Sequence, residues 1–171
     1  MALAPVFRPM TEADFPRLVT WFADPAVVRW FGPPKDLAAV AAKYGPRIRG
    51  EEPTEMWIAE FEGEPAAMLQ CYRHVDHSET DAAVGVPDAV GIDYLVAAAF
   101  RGRGLAGPLL AAFADHALDR FPDARVVVAT PNEENAASCG ALRAAGFERR
   151  HGFTTPAGDR EVVFARPSTR P

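Results

Sequence analysis

The chain has 171 residues, of which 49% are hydrophobic and 24% charged, a balance typical of one globular domain with its own core. The formal net charge of −5 argues against a nucleic-acid-binding protein and is compatible with a cationic small substrate. No apolar run reaches membrane-spanning length and the N-terminus lacks a signal-peptide pattern, so we expect a cytoplasmic protein without a membrane partner.

The sequence predicts neither a disulfide cross-link nor a linker between domains. Cys71 and Cys139 show no metal-ligand spacing and no disulfide framework, and their apolar surroundings predict buried free thiols. No other pattern indicates a metal site. We expect a single domain over 1–171, with a core at about 5–166 and a disordered tail at 167–171.

The first half of the chain predicts strands and helices in alternation. In order, these are a strand at 5–10, a helix from 11, a short helix from 25, a helix at 36–49, and strands at 55–62 and 66–75. Thr11 and Asp14 match a capping box with Asp in place of Glu, which marks the first helix start. Pro25 suits the first position of the short helix.

Aromatic and polar side chains in this half are candidates for ligand contact. Phe31 is interpreted as a core residue, whereas Trp30 either fills the core or lines a pocket with its ring and N–H. Gln70 and Tyr72 share one face of the strand at 66–75, because side chains alternate along a strand.

The stretch at 77–88 is the least regular part of the sequence and is predicted to be a loop. It carries the acidic residues Glu79, Asp81 and Asp88. A long loop inside a compact domain is often functional, but charged residues in a loop are also often only solvated. Both interpretations remain open for these acids.

A strand followed by a glycine-rich turn forms the centre of the pattern. The strand at 89–97 is apolar except for Asp93, and a carboxylate there is costly to bury unless it has hydrogen bonds or a task. The turn at 101–107 opens a helix predicted over 105–121. Such a turn leaves backbone N–H groups at the positive end of a helix and suits a phosphate, although a tight turn with basic side chains has the same pattern.

The last third predicts a strand, a helix and a hairpin. The elements are a strand at 124–129, a helix at 136–145, and strands at 147–153 and 160–165. Asn132 is a candidate N-cap, Asn135 falls one turn further into the helix, and Gly146 ends it.

The order of elements, with Arg101-x-x-Gly104-x-Ala106 between the central strand and a helix, resembles the GNAT-type N-acetyltransferase superfamily. The segment from Asn135 to Phe147, which ends in Ala-Gly-Phe, is similar to the final motif of that family. The resemblance implies an α/β (α+β) GNAT-like fold, with a mixed central sheet of about seven strands flanked by about four helices.

Within that superfamily, the sequence over about 7–166 is most similar to aminoglycoside 6'-N-acetyltransferases. The segments that carry the similarity are Arg8-x-Met10-Thr11-Glu12, Trp30-x-Gly32, Gly63-Glu64-Pro65, Gly91-Ile92-Asp93, Ala145-Gly146-Phe147-Glu148-Arg149 and Thr154-Thr155-Pro156. Siderophore-pathway N-acetyltransferases, which acylate a lysine-like amine, share much of this pattern and are the closest alternative.

The resemblance implies acetyl transfer from acetyl-coenzyme A to a primary amine of an aminoglycoside-like polycation, and thus antibiotic resistance. Asp93 would be the general base. The implied coenzyme contacts are Leu95, Val96, Arg101, Gly102, Arg103, Gly104, Leu105, Ala106, Gly107 and Asn135. The implied acceptor contacts are Trp30, Gln70, Tyr72, Glu79, Asp81, Asp88, Asp93, Tyr94 and Thr130.

Two positions depart from the family pattern. Leu142 stands where many members place the tyrosine that protonates the leaving thiolate, and Thr130 stands where the aminoglycoside enzymes often carry an acid. Besides the siderophore-type alternative, a non-catalytic coenzyme A-binding module is a second reading. The implied assembly is a monomer or a homodimer.

Overall fold

The computed structural model describes residues 3–169, apart from the side chains of 78–80. The chain forms two compact units. The first comprises Met1–Gln70 and Tyr94–Arg103, and the second comprises Cys71–Asp93 and Gly104–Pro171.

Seven strands and six α-helices are described. The first unit begins with β1 (Val6–Pro9), α1 (Phe15–Phe22), α2 (Pro25–Phe31), α3 (Leu37–Ile48), β2 (Glu55–Phe61) and most of β3 (Glu64–Arg73). The chain continues with α4 (Ser78–Val84), β4 (Ala89–Val96), α5 (Ala106–Arg120), β5 (Val126–Ala129), α6 (Ala136–Ala144), β6 (Glu148–Thr154) and β7 (Arg160–Pro167).

The strands form one mixed sheet in the order β1-β2-β3-β4-β5-β7-β6. β1 pairs antiparallel with β2, β4 pairs parallel with β5, and β7 pairs antiparallel with both β5 and β6. The paired residues of β4 and β5 end at Gly91 and Val128, while β4 continues to Val96. The predicted mixed sheet of about seven strands is confirmed.

In the first unit, apolar stripes of α1 and α3 pack with β2 and β3 side chains into one core. Phe22 is fully buried and its ring stacks on Tyr44 at a centroid distance of 5.9 Å. Phe31 packs on the same core and meets Phe22 edge-on, as predicted. The capping box of Thr11 and Asp14 opens a short 3-10 turn, Glu12–Asp14, that runs into α1. Asp36 caps α3 by accepting a hydrogen bond from the Ala39 N–H at 2.8 Å.

In the second unit, α5 buries its apolar side chains, and α4, β4, β5 and β7 form a separate buried cluster. The α5 side chains Leu109, Leu110 and Phe113 are fully buried. The cluster consists of Val84, Ala89, Val128, Val163 and Ala165. Both cysteines are buried free thiols, as expected.

Three predictions of local structure need correction. The stretch expected to be a loop contains α4, and the described helices number six rather than about four. The predicted short helix from Pro25 is confirmed as α2. The N-cap of α6 is Asn135 and not Asn132. Pro167 belongs to β7 and the Ser168 N–H donates to Arg125 O at 2.8 Å, so order extends past the predicted start of the tail.

Across residues 3–169, no helix combines the length and the apolarity that crossing a membrane requires.

Candidate active site

The glycine turn before α5 is an open, exposed cradle. Gly102 and Gly104 have φ values of +69° and +71°, which side chains other than that of glycine rarely accept. A Cβ atom at either position would meet nothing within 4 Å. The 15-residue α5 begins at Ala106, so its first N–H groups have no partner within the helix. The geometry is compatible with a phosphate group, and phosphate binding at this turn stays a prediction.

The two arginines of the turn have different partners. Arg101 forms an ion pair with Asp24, whose other carboxylate oxygen caps α2 by accepting the Ala26 N–H at 2.9 Å. Arg103 is exposed and its guanidinium lies 5.4 Å from the Phe100 ring. Arg103 is therefore the more available cation, whereas Arg101 is already neutralised by Asp24.

Gly107 has a packing role that its place in the turn did not reveal. It is buried, and a Cβ atom there would lie 2.9 Å from Ala144 Cβ in α6. The missing side chain lets α5 and α6 approach closely. Its neighbours Leu105 and Ala106 are half-buried at the start of α5.

The end of β4 distinguishes between the two predicted backbone contacts to the thioester. The Ala97 N–H donates to Ala66 O in β3 at 2.8 Å. Successive N–H groups of a strand point to opposite sides, so the Leu95 N–H also points to β3 and the Val96 N–H points away from it. Val96 is the better candidate of the two, and Leu95 instead buries its side chain in the first unit's core.

Asp93 is half-buried on β4, two residues after Gly91 and on the same face. The Tyr72 ring lies over Gly91: a Cβ atom there would be 2.5 Å from Tyr72 Cε2. Tyr72 also packs against the His77 ring at a centroid distance of 4.2 Å. The structure thus brings the predicted residues Tyr72 and Asp93 to one face of β4.

A further acid, which the sequence analysis did not select, lies near Asp93. Glu161 of β7 is half-buried and hydrogen-bonds with Thr130. Burial and the negative charges of Asp93 and Asp159 raise the pKa of Glu161, against the opposing effect of the Thr130 hydrogen bond. The available sequence signal was an acid directly before the apolar run Val162-Val163-Phe164 of a predicted strand.

Three predicted acceptor contacts belong to the first unit. Trp30 is half-buried in α2, and the Arg29 guanidinium lies 4.6 Å from its ring centre, so that ring already attracts a cation. Gln70 Oε1 accepts a hydrogen bond from Arg47 at 2.7 Å. Tyr94 is half-buried in β4, on the face opposite that of its neighbour Asp93.

The predicted acidic contacts Asp81 and Asp88 do not gather at Asp93. Together with Arg73 and Asp123 they line a separate cavity of about 510 Å³, whose lining residues do not include Asp93. Asp93 lies five residues after Asp88, so an extended chain places their Cα atoms roughly 16 Å apart. Asp81 hydrogen-bonds with the buried His74 at 3.1 Å. The side chain of Glu79 lies outside the described residues.

The α6 start positions the remaining coenzyme candidate. Asn135 Oδ1 accepts the Ser138 N–H at 3.1 Å and so begins the helix. Its amide nitrogen is the group that could also meet a ligand. Leu142, at the position of the family's tyrosine, is fully buried.

Comparison with known proteins identifies the family. A model of the acetyltransferase (GNAT) domain matches residues 10–155. The chain belongs to the GNAT acetyltransferase family. Its seven-stranded mixed sheet is thus the fold of a GNAT acetyltransferase.

Relatives of this GNAT chain include aminoglycoside N(6')-acetyltransferase type 1 of Klebsiella pneumoniae, which is 32% identical, with 88% of this chain and 77% of the relative covered. A crystal structure of aminoglycoside acetyltransferase AAC(6')-Ib with coenzyme A superposes with a TM-score of 0.83 at 30% identity, covering 96% of this chain and 95% of the other. The same enzyme with coenzyme A and kanamycin gives a TM-score of 0.82, with the same identity and coverage.

Proposed function

We propose that this GNAT enzyme transfers an acetyl group from acetyl-coenzyme A to the 6'-amine of an aminoglycoside. The observation that carries the proposal is the half-buried Asp93 on the strand that leads directly into the open glycine turn. The candidate base and the candidate donor site thus lie on one short segment of the chain. The 32% identity with an aminoglycoside N(6')-acetyltransferase supports the choice of acceptor.

The turn and the end of β4 would hold the donor. Backbone N–H groups at Gly104 and Ala106, with the Arg103 guanidinium, would bind the pyrophosphate by charge-assisted hydrogen bonds. The Val96 N–H would donate to the carbonyl oxygen as negative charge develops there. The donor supplies an activated acetyl thioester. The open backbone and the exposed Arg103 fit such an anionic ligand.

Asp93 would prepare the acceptor. An aminoglycoside amine is protonated near neutral pH and becomes nucleophilic only after it loses that proton. Asp93 would accept the proton directly or through a water molecule, and its negative charge would attract the ammonium group beforehand. With Leu142 at the usual tyrosine position, the thiolate would leave with a proton from another donor or from water.

The test is thiol release from acetyl-coenzyme A with kanamycin, compared with hydroxylysine as the siderophore-type acceptor. We expect kanamycin to be acetylated with the higher kcat/KM. Asp93→Asn should lower kcat about 100-fold or more, the range of a lost general base. Glu148→Gln is the matched control, since Glu148 is an exposed acid of β6.

Unchanged turnover in the Asp93→Asn variant would exclude the general-base role. Thiol release with hydroxylysine but not with kanamycin would favour the siderophore-type function. If the protein binds acetyl-coenzyme A but releases no thiol in the presence of any amine, it is a coenzyme-binding module. We further propose that the chain forms a single acetyltransferase domain and acts in the cytoplasm. We propose that it is a monomer or a homodimer, and light scattering distinguishes these two states.

A further inference from the structure

Glu161 and Thr130 form a connection between β7 and the turn after β5. Asn132 bridges to Glu161, and the Val162 N–H donates to Pro131 O at 3.0 Å, so this end of β7 lies along the turn. The Glu161 side chain hydrogen-bonds with that of Thr130. Backbone hydrogen bonds thus fix the register between β7 and the turn after β5. The Glu161 backbone is held by this pairing, and its side chain is held by Thr130.

Glu161 lies on the same face of the sheet as Asp93. Gly91 of β4 pairs with Val128 of β5, which pairs in turn with Ala165 of β7. Asp93 and Glu161 are an even number of residues from these paired positions, so their side chains share that face. The charged groups that influence Glu161 are Asp93 and Asp159, both negative. The neighbouring cation of β7, Arg160, pairs instead with Glu133 at 2.6 Å. Two carboxylates on one face of a sheet repel one another, and a cation bound between them removes that repulsion.

The surroundings leave room for such a cation. Asp93, Thr130 and Glu161 are all only half-buried, so each is reachable from solvent. Burial and the negative charges of Asp93 and Asp159 raise the pKa of Glu161, and a bound cation would oppose that shift. A hydroxyl and two carboxylates make a suitable set of acceptors for an ammonium group.

We propose that Glu161, held by Thr130 beside Asp93, binds a second ammonium group of the acceptor, next to the amine that Asp93 deprotonates. The inference rests on the proposed function. It makes the enzyme selective for polyamines over monoamines, because only an acceptor with a second ammonium group engages both carboxylates.

The test compares the wild type with Glu161→Gln, which keeps the side-chain size and can still hydrogen-bond with Thr130. KM for kanamycin should rise about 10-fold or more, as expected for the loss of a hydrogen bond to a charged group. For 6-amino-6-deoxyglucose, which carries the reacting amine alone, kcat/KM should change less than about twofold. Asp159→Asn is the matched control, because it removes an exposed charge of the same hairpin and should leave both values nearly unchanged.

Equal losses with kanamycin and with the monoamine would overturn the proposal, as would an effect of Asp159→Asn as large as that of Glu161→Gln. A lowered melting temperature with an unchanged KM for kanamycin would show Glu161 to be structural only. Calorimetric binding of kanamycin without the donor separates the two proposals. Binding that depends on Glu161 but leads to no acetylation would refute the proposed function alone, and acetylation without that dependence would refute this inference alone. A wild type that does not bind kanamycin would overturn both.

Discussion

At the scale of single residues, a close contact explains why glycine precedes the candidate base. Gly91 has an extended backbone that any residue could adopt, so its conformational freedom is not what matters. The Tyr72 ring occupies the space that a side chain would need. Gly91 and Asp93 share a face of β4. The Tyr72 ring, which covers Gly91, therefore lies next to the space in front of Asp93.

Gly91→Ala should therefore displace Tyr72. Overpacking of this kind costs about 1–3 kcal/mol, and we expect the free energy of unfolding to fall by about that amount. The displaced ring should also raise KM for kanamycin more than KM for acetyl-coenzyme A. Chemical denaturation and steady-state kinetics measure the two effects.

Tyr72→Ala provides the companion variant. In a double-mutant cycle, Gly91→Ala should cost less stability when Tyr72 is already alanine. Additive losses of stability would show that the ring contact is not the cause.

At the scale of elements, the glycines around the start of α5 serve different purposes. Gly104 adopts a positive φ in open space, whereas Gly107 provides the close approach of α5 to α6. Equivalent substitutions should therefore have different consequences, although both residues lie in one short motif.

Gly107→Ala should mainly destabilise the fold, by about 1–3 kcal/mol, because its Cβ atom meets Ala144 Cβ at 2.9 Å. Gly104→Ala should mainly weaken donor binding, because its backbone would leave the positive-φ region and reorient the turn. Melting temperatures and KM for acetyl-coenzyme A distinguish the effects. The assignment is wrong if Gly104→Ala and Gly107→Ala change both quantities alike.

At the scale of the whole molecule, the net charge of −5 favours a cationic acceptor over an anionic donor. This long-range attraction is weakened by salt, since the Debye length falls from about 10 Å at 0.1 M to about 3 Å at 1 M ionic strength. In the proposed function, donor binding would rely instead on local backbone N–H groups and on Arg103.

Raising ionic strength from about 10 mM to about 500 mM should therefore raise KM for kanamycin several-fold. The singly charged 6-amino-6-deoxyglucose is the control and should show a smaller dependence. KM values from the thiol-release assay across a salt series provide the measurement. If KM for kanamycin does not change with salt, long-range attraction does not contribute to acceptor binding and short-range contacts account for it.

Features encoded over a few consecutive residues were predictable from the sequence. The capping box of Thr11, the apolar strand with Asp93 and the glycine turn all depend on local backbone preference or periodicity, and each is present. Local signals failed where two of them competed. Both Asn132 and Asn135 suit a helix N-cap, and the acidic residues of α4 resembled a solvated loop.

The tertiary structure decided which side chains meet. Arg101 was expected to be available for phosphate, yet it pairs with Asp24, 77 residues away. Glu161 reaches Thr130, on the sheet face that carries Asp93, because β7 inserts beside β5 in the sheet. The sequence by itself determined the order of elements, the glycine turn and the acid on the central strand, because those follow from neighbouring residues. Which charges pair and which repel depends on strand order and register, which arise from contacts between segments distant along the chain.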